Sequence, residues 1–239
     1  MSSRHLKSYV EERAQWQTAF DDLLKFGSEG VLKEEILQAK KIFFSKLGST
    51  HEMREELYET SSQSFLEWYL FDYQSWLFSK SPAVVYASLK LGSRSDQELI
   101  EKSLFEHWSI YEVLAVGNKE MILDDLLFKK RRQVAYDGNT PDSKLWQVKP
   151  GQVIQTRLFE LQTEPWFFLT HLWIHSDDEK DGLKKMCAVQ SRKWSRHKNF
   201  LLECFEAVVR SHGIQNQIRA SRSINWLYKE LEKKYVKAN

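Results

Sequence analysis

The chain reads as an α+β protein: an N-terminal helical region, a small SH3-like or OB-like β-barrel, and C-terminal helices packed back on it. Three observations predict this. Apolar residues recur at helical spacing from residue 3 to residue 105, short β-branched and aromatic runs with turn signals fill 108 to 175, and helical periodicity returns at Ser176. The corresponding segments are 1–106, 107–176 and 177–239. A chain of 239 residues buries enough surface for an ordinary core, and nine Trp and fourteen Phe supply large side chains for it.

The first helix is carried by Leu6, Val10, Trp16, Phe20, Leu23 and Leu24 and breaks at FGSEG. The second runs from Val31 to Leu47 with Leu32, Ile36 and Phe43 on one side, and Gly48 supplies its C-terminal turn. Ser49 with Glu52, and Ser95 with Glu98, have capping-box spacing; Ser81 and Pro82 read as N-cap and first position of a short helix ending at Gly92. SIYEVLAV, EMILDDLL, RRQVAY, QVIQTRLFEL and PWFFLTHLWIH then predict five or six strands, divided by GN, DGNTPD, KPG and QTEP. Closing them into a barrel would remove exposed sheet edges. SDDE at Ser176 is a further capping box, before a helix that reaches His212 with a break near Gly182. A last helix carries Ile218, Trp226, Leu227, Leu231 and Tyr235.

Residues 1–25 contain no apolar signal-peptide core and no run of eighteen apolar residues follows, so a soluble, unprocessed chain with no membrane partner is expected. Cys187 and Cys204 are the only cysteines, which favours two buried thiols and a cytoplasmic location over a disulfide framework. The net charge of +2 is unevenly spread. Residues 183–239 hold thirteen Lys/Arg against four Asp/Glu, a local +9 that leaves −7 on the rest. Such asymmetry suits an acidic partner, although a solvated helix face gives the same count.

The stretch SFLEWYLFDYQSWLF, residues 64–78, sets seven aromatic rings around Glu67 and Asp72. On a continuous α-helix five residues advance the carboxylates about 140° apart, which removes the simplest paired-carboxylate mechanism. Ser64 and Glu67 have the spacing of another capping box. Asp72 falls amid Phe65, Trp68 and Trp76, where an unpaired carboxylate is costly; the reading is structural, with an indole N–H, a backbone N–H or an arginine as its partner.

FLEWYLFDY, SIYEVLAV, ILDDLLFKKRRQVAY and KPGQVIQTRLFEL, taken in that order, resemble a pattern in uncharacterised bacterial proteins related to SEC-C motif-containing proteins. The matching residues include Trp68, Phe71, Asp72, Tyr111, Glu112, Val113, Asp125, Leu126, Gly151 and Arg157, over roughly 64–175. The resemblance implies an aromatic helix followed by a small β-barrel and no established activity. The Cys/His tail that binds zinc in such proteins is missing, so that metal site does not carry over.

Three groups of residues bear on chemistry. His171 and His175 alternate on a predicted strand and Asp177 and Asp178 follow, a partial zinc or iron set without a third ligand at fixed spacing; ordinary barrel histidines explain them better. His107 stands alone. Lys129, Lys130, Arg131 and Arg132 lie where one strand turns into the next and can grip phosphates or blunt a sheet edge. In SRKWSRHK, Arg192, Lys193, Arg196 and Lys198 form a cationic stripe, with Lys184 and Lys185 nearby, while Trp194 aligns with Cys187, Leu201, Phe205 and Val208 as core. No GxGxxG, GxxxxGK, GxSxG or HExxH occurs. The sequence thus favours a non-enzymatic binding protein without cofactor, holding nucleic acid or an acidic protein surface through these cations. A protein-protein adaptor is the alternative and a metal-dependent hydrolase the third reading.

Overall fold

A computed structural model describes residues 3–47, 55–104, 107–118, 120–135, 148–159, 166–191, 197–214 and 228–237. The helices of the first half are α1 (Ser3–Ser28), α2 (Lys33–Leu47), α3 (Glu55–Glu67), α4 (Pro82–Ser88) and α5 (Arg94–Ser103). Ser81 and Pro82 occupy the N-cap and first positions of α4 as the sequence predicts, though the Ser81 hydroxyl makes no capping bond. The capping box of α5 sits two residues earlier than expected. Ser93 accepts from the Asp96 amide at 3.2 Å, and the Asp96 carboxylate accepts from the Ser93 amide at 3.3 Å. The predicted cap at Ser49 and Glu52 lies outside the described residues.

Five strands follow: β1 (His107–Val116), β2 (Glu120–Asp125), β3 (Arg131–Ala135), β4 (Val153–Phe159) and β5 (Trp166–Ile174). The class is α+β, as expected. The strands pair in the order β1-β2-β3-β5-β4, and β4 returns to β1 from His107↔Leu158 to Glu112↔Val153. Every ladder is antiparallel except the narrow β3 to β5 seam, two parallel pairs at Val134↔Trp166 and Ala135↔Phe167. In the turn before β4, Gly151 adopts φ +87° and donates its amide to the Val113 carbonyl at 2.7 Å, a conformation that a Cβ would strain.

Side-chain alternation divides the core. Tyr111, Val113, Met121, Leu123, Val134, Ile154, Leu158 and Leu172 fill the inside of the curled sheet. On its outer face Val153, Gln155, Arg157 and Phe159 meet helices, which is why all seven residues of β4 are buried. One outer cluster joins Trp16, Phe20, Phe43, Phe65, Tyr69 and Phe71 to Phe159, Trp173 and Phe205. Another joins Ile110, Leu126, Leu127 and Val153 to Leu183, Met186, Phe200, Leu201, Tyr228 and Tyr235. The helices that supply these last residues are α6 (Lys180–Gln190), α7 (His197–Ile214) and the stretch 228–237. Gly182 lies within α6, so the helix does not break there. SDDE forms a 3-10 turn, Asp177–Glu179, without a side-chain cap from Ser176. Ile218, Trp226 and Leu227 lie outside the described residues. Cys187 and Cys204 are buried free thiols, and burial pushes both pKa values up.

The largest departure concerns residues 64–78. The α-helix gives way at Trp68 to a π-turn, Trp68–Asp72, closed by the Tyr73 amide on the Trp68 carbonyl at 2.8 Å, and Tyr73 is extended. Ser64 is therefore mid-helix rather than a cap. Its hydroxyl donates to the Thr60 carbonyl at 3.0 Å and accepts from the Trp173 indole at 3.0 Å. Trp76, expected in the aromatic core, stands 65% exposed, because the chain has left the helix four residues earlier. α1 passes close to the π-turn at Gly27, whose carbonyl accepts the Tyr69 hydroxyl at 2.8 Å; a Cβ there would lie 2.8 Å from Leu70.

Candidate functional site

The π-turn answers the question posed by the two carboxylates. A hydrogen bond that spans five residues widens the turn and lowers the angular step per residue, so Glu67 and Asp72 come toward the same side rather than 140° apart. Both meet Arg157 of β4: its Nε lies 3.5 Å from Glu67 Oε2, and its second terminal nitrogen donates to Asp72 Oδ2. The guanidinium carbon also lies 5.4 Å from the Phe71 ring centre and 5.5 Å from that of Trp108. Asp72 thus has the structural partner that the sequence demanded, and the partner is an arginine. Burial of all three groups makes the node a fastening between helix and sheet, because loss of Arg157 strands both carboxylates in an apolar setting and loss of either carboxylate breaks a buried polar contact. A narrow cleft opens beside it, lined by Phe43, Ser64, Glu67, Trp68, Trp108, Arg157 and Phe205.

Two further buried carboxylates shape turns. Asp125, at the end of β2, accepts the Ser109 hydroxyl at 2.7 Å and the Leu127 and Phe128 amides at 3.0 Å each. Burial raises its pKa, against the pull of those hydrogen bonds and of Arg132. Glu35 of α2 accepts the Ser75 hydroxyl at 3.0 Å and the Trp76 amide at 2.7 Å, while the Ser75 oxygen accepts the Phe78 amide at 3.2 Å. The carboxylate thereby fixes a turn whose tip, Trp76, Leu77 and Phe78, is 65%, 45% and 40% exposed. Asp125 shares the parity of Met121 and Leu123 in EMILDD, whereas Glu35, a buried carboxylate that holds a distant turn, leaves no local pattern in the sequence.

The KKRR run divides. Lys129, Lys130 and Arg131 are exposed, and Lys129 holds φ +55° with its amide on the Asp125 carbonyl at 2.9 Å. Arg132 pairs with Leu123 and shares the parity of Val134, which turns it toward the inside of the sheet beside Tyr111 and Asp125. It is therefore not a loop-tip cation, a correction to the sequence reading that follows from strand alternation. Arg192, Lys193, Arg196 and Trp194 lie outside the described residues; Lys198 is in the first turn of α7. On α6, Lys180 and Lys184 are drawn to Glu112 of β1, at 3.2 Å and 2.6 Å, whereas Lys185 is exposed. Burial alone would raise the Glu112 pKa, but hydrogen bonds from the two lysines and their charges outweigh it and hold the carboxylate below its ordinary range.

His171 lies within β5, and His175 follows its end, buried, with Nδ1 2.8 Å from the Tyr228 hydroxyl. That bond ties the last helical stretch to the sheet. Among the described residues no group of three or more His, Cys, Asp or Glu is placed to hold a metal ion. No helix among them is long and apolar enough to cross a membrane. No family model, curated protein or solved structure matches this chain.

Proposed function

We propose that the chain is a non-enzymatic binding protein that contacts the phosphate backbone of a nucleic acid. The contacts come from Lys129, Lys130 and Arg131 on the β2 to β3 turn, together with Lys185, Arg192, Lys193, Arg196 and Lys198. One observation carries this reading: Leu126 and Leu127, at the base of that turn, share a buried cluster with Leu183, Met186 and Cys187 of α6 and Phe200 and Leu201 of α7. The exposed turn cations therefore lie alongside the helices that flank the basic segment. Asp125 holds the turn in shape, so the cations are presented from a fixed backbone. The likeness to proteins related to SEC-C motif-containing proteins, and a small barrel of SH3-like or OB-like kind for the five strands, belong to the same proposal; the cyclic strand order supports the second.

The test is the salt dependence of binding to duplex DNA, single-stranded DNA and RNA. The slope of log affinity against log salt should be about −0.9 per phosphate neutralised on a duplex and −0.7 on single strands. Replacing Lys129, Lys130 and Arg131 by Ser, or Arg192, Lys193, Arg196 and Lys198 by Gln, should weaken binding and flatten the slope. Absence of binding to all three polymers at low salt, or indifference to both sets of substitutions, contradicts the proposal.

A second reading, a protein-protein adaptor, is favoured by the exposed Trp76, Leu77 and Phe78 turn on its Glu35 support. Three consecutive exposed apolar side chains held in a fixed turn are what a protein-docking tip requires.

A further inference from the structure

We propose that the face of α2 beside the Trp76 turn is a self-association surface, on which a second copy of this chain lies antiparallel. Such pairing gives a partner to the protein-docking turn, rests on that reading of it, and is independent of the phosphate-contacting face. Glu35 anchors the turn against α2 through the Ser75 hydroxyl and the Trp76 amide. The 3-10 turn Gly30–Leu32 runs straight into α2, so Val31, Glu35, Gln38 and Ile42 follow at helical spacing along one side. Val31 is 71% and Ile42 45% exposed. These two and the three side chains of the turn present apolar surface on the order of 500 Å² in one copy, as much as the largest patch of a typical monomer. Two such faces together reach the ~1,000 Å² that a specific interface needs.

The charges of the face fix the direction of the second copy. Glu34 and Lys41 are both exposed and lie on its other edge, two turns or about 10 Å apart along the axis, too far to pair within one helix. A copy related by a two-fold axis that crosses α2 between Leu37 and Gln38 sets Glu34 of each chain against Lys41 of the other. The same operation carries the Trp76 turn, which sits at the Glu35 end of α2, over the partner's Ile42, the apolar side chain that the turn leaves open at the other end. A parallel copy would set Glu34 beside Glu34 and Lys41 beside Lys41, and is disfavoured.

The test is sedimentation velocity of the full chain over roughly 1 to 500 µM, where a face of this size should show a monomer–dimer equilibrium. Glu34→Lys and Lys41→Glu should each weaken the dimer at least about tenfold, since each turns two attractions into two repulsions. Mixed in equal amounts, the two variants should recover a heterodimer, because one chain then offers only positive and the other only negative charge at the two contacts. The double variant Glu34→Lys/Lys41→Glu should dimerise by itself for the same reason. Trp76→Ser should also weaken the dimer about tenfold or more. Lys41→Glu and Trp76→Ser decide alone if Glu34→Lys, in the first turn of α2, fails to fold. A dimer indifferent to Lys41→Glu or to Trp76→Ser, or folded variants that do not recover on mixing, overturns the proposal. So does a monomer at every concentration, which would leave the exposed turn to a different protein and so separates loss of the second copy from loss of the docking reading.

Discussion

Arg157 is the residue on which most of the architecture turns, because it reaches from β4 to both carboxylates of the helical region. Asp72→Ala leaves Glu67 as its remaining carboxylate partner and should cost about 1 to 3 kcal/mol, the range for a broken buried polar contact. Arg157→Met leaves two carboxylates without their guanidinium and should cost more, about 3 to 5 kcal/mol. Adding Glu67→Gln and Asp72→Asn to Arg157→Met should restore part of that loss. Chemical denaturation of the four chains checks the ranking, and an Arg157→Met cost no greater than that of Asp72→Ala would remove Arg157 from its central place. The sequence made the Asp72 role readable, since a carboxylate among aromatic rings must have a partner. It hides the convergence with Glu67, because the 100° step of an α-helix does not hold across the π-turn Trp68–Asp72. The inward turn of Arg132 is legible in the alternation itself: in RRQVA it shares parity with Val134, and in EMILDD the inward set is Met121, Leu123 and Asp125.

At the scale of elements, strands were the most legible feature. Period-two runs bounded by GN and KPG mark β1, β2 and β4 closely, because turn chemistry and alternation agree there. Helix ends were less so: Ser95 and Glu98 have the spacing of a cap, but Ser93 and Asp96 make it, since both pairs satisfy the same local rule. Contact between β1 and α6 through Glu112 gives an acid-range prediction. The folded carboxylate has a pKa below its ordinary value, so its stabilisation is present above the unfolded pKa and is lost as pH falls through the folded one. Glu112→Gln should therefore lower stability at neutral pH by about 1 kcal/mol or less, given the partial exposure of both lysines. The difference from the unaltered chain should vanish under strongly acidic conditions. Thermal melts of the two chains across pH 2 to 7 check it; a constant difference at every pH contradicts the ion-pair explanation.

At the scale of the whole molecule, the outer faces of the sheet are covered from both ends of the sequence. The N-terminal helices lie over Phe159 and Trp173, and the C-terminal ones over Ile110 and Val153. That arrangement was legible as helices packed back on the strands, while the partners of each face depend on contacts between residues far apart in the chain and leave no local signal. The central functional claim is that the β2 to β3 turn and the C-terminal basic segment act as one phosphate-binding face. Its most direct measurement is amide hydrogen exchange of the full chain with and without a single-stranded RNA oligonucleotide at low salt. The account predicts added protection at Leu126 to Arg131 and across residues 184 to 198, with none at Trp76 to Phe78. Protection confined to Trp76, Leu77 and Phe78, or no change anywhere, would contradict it.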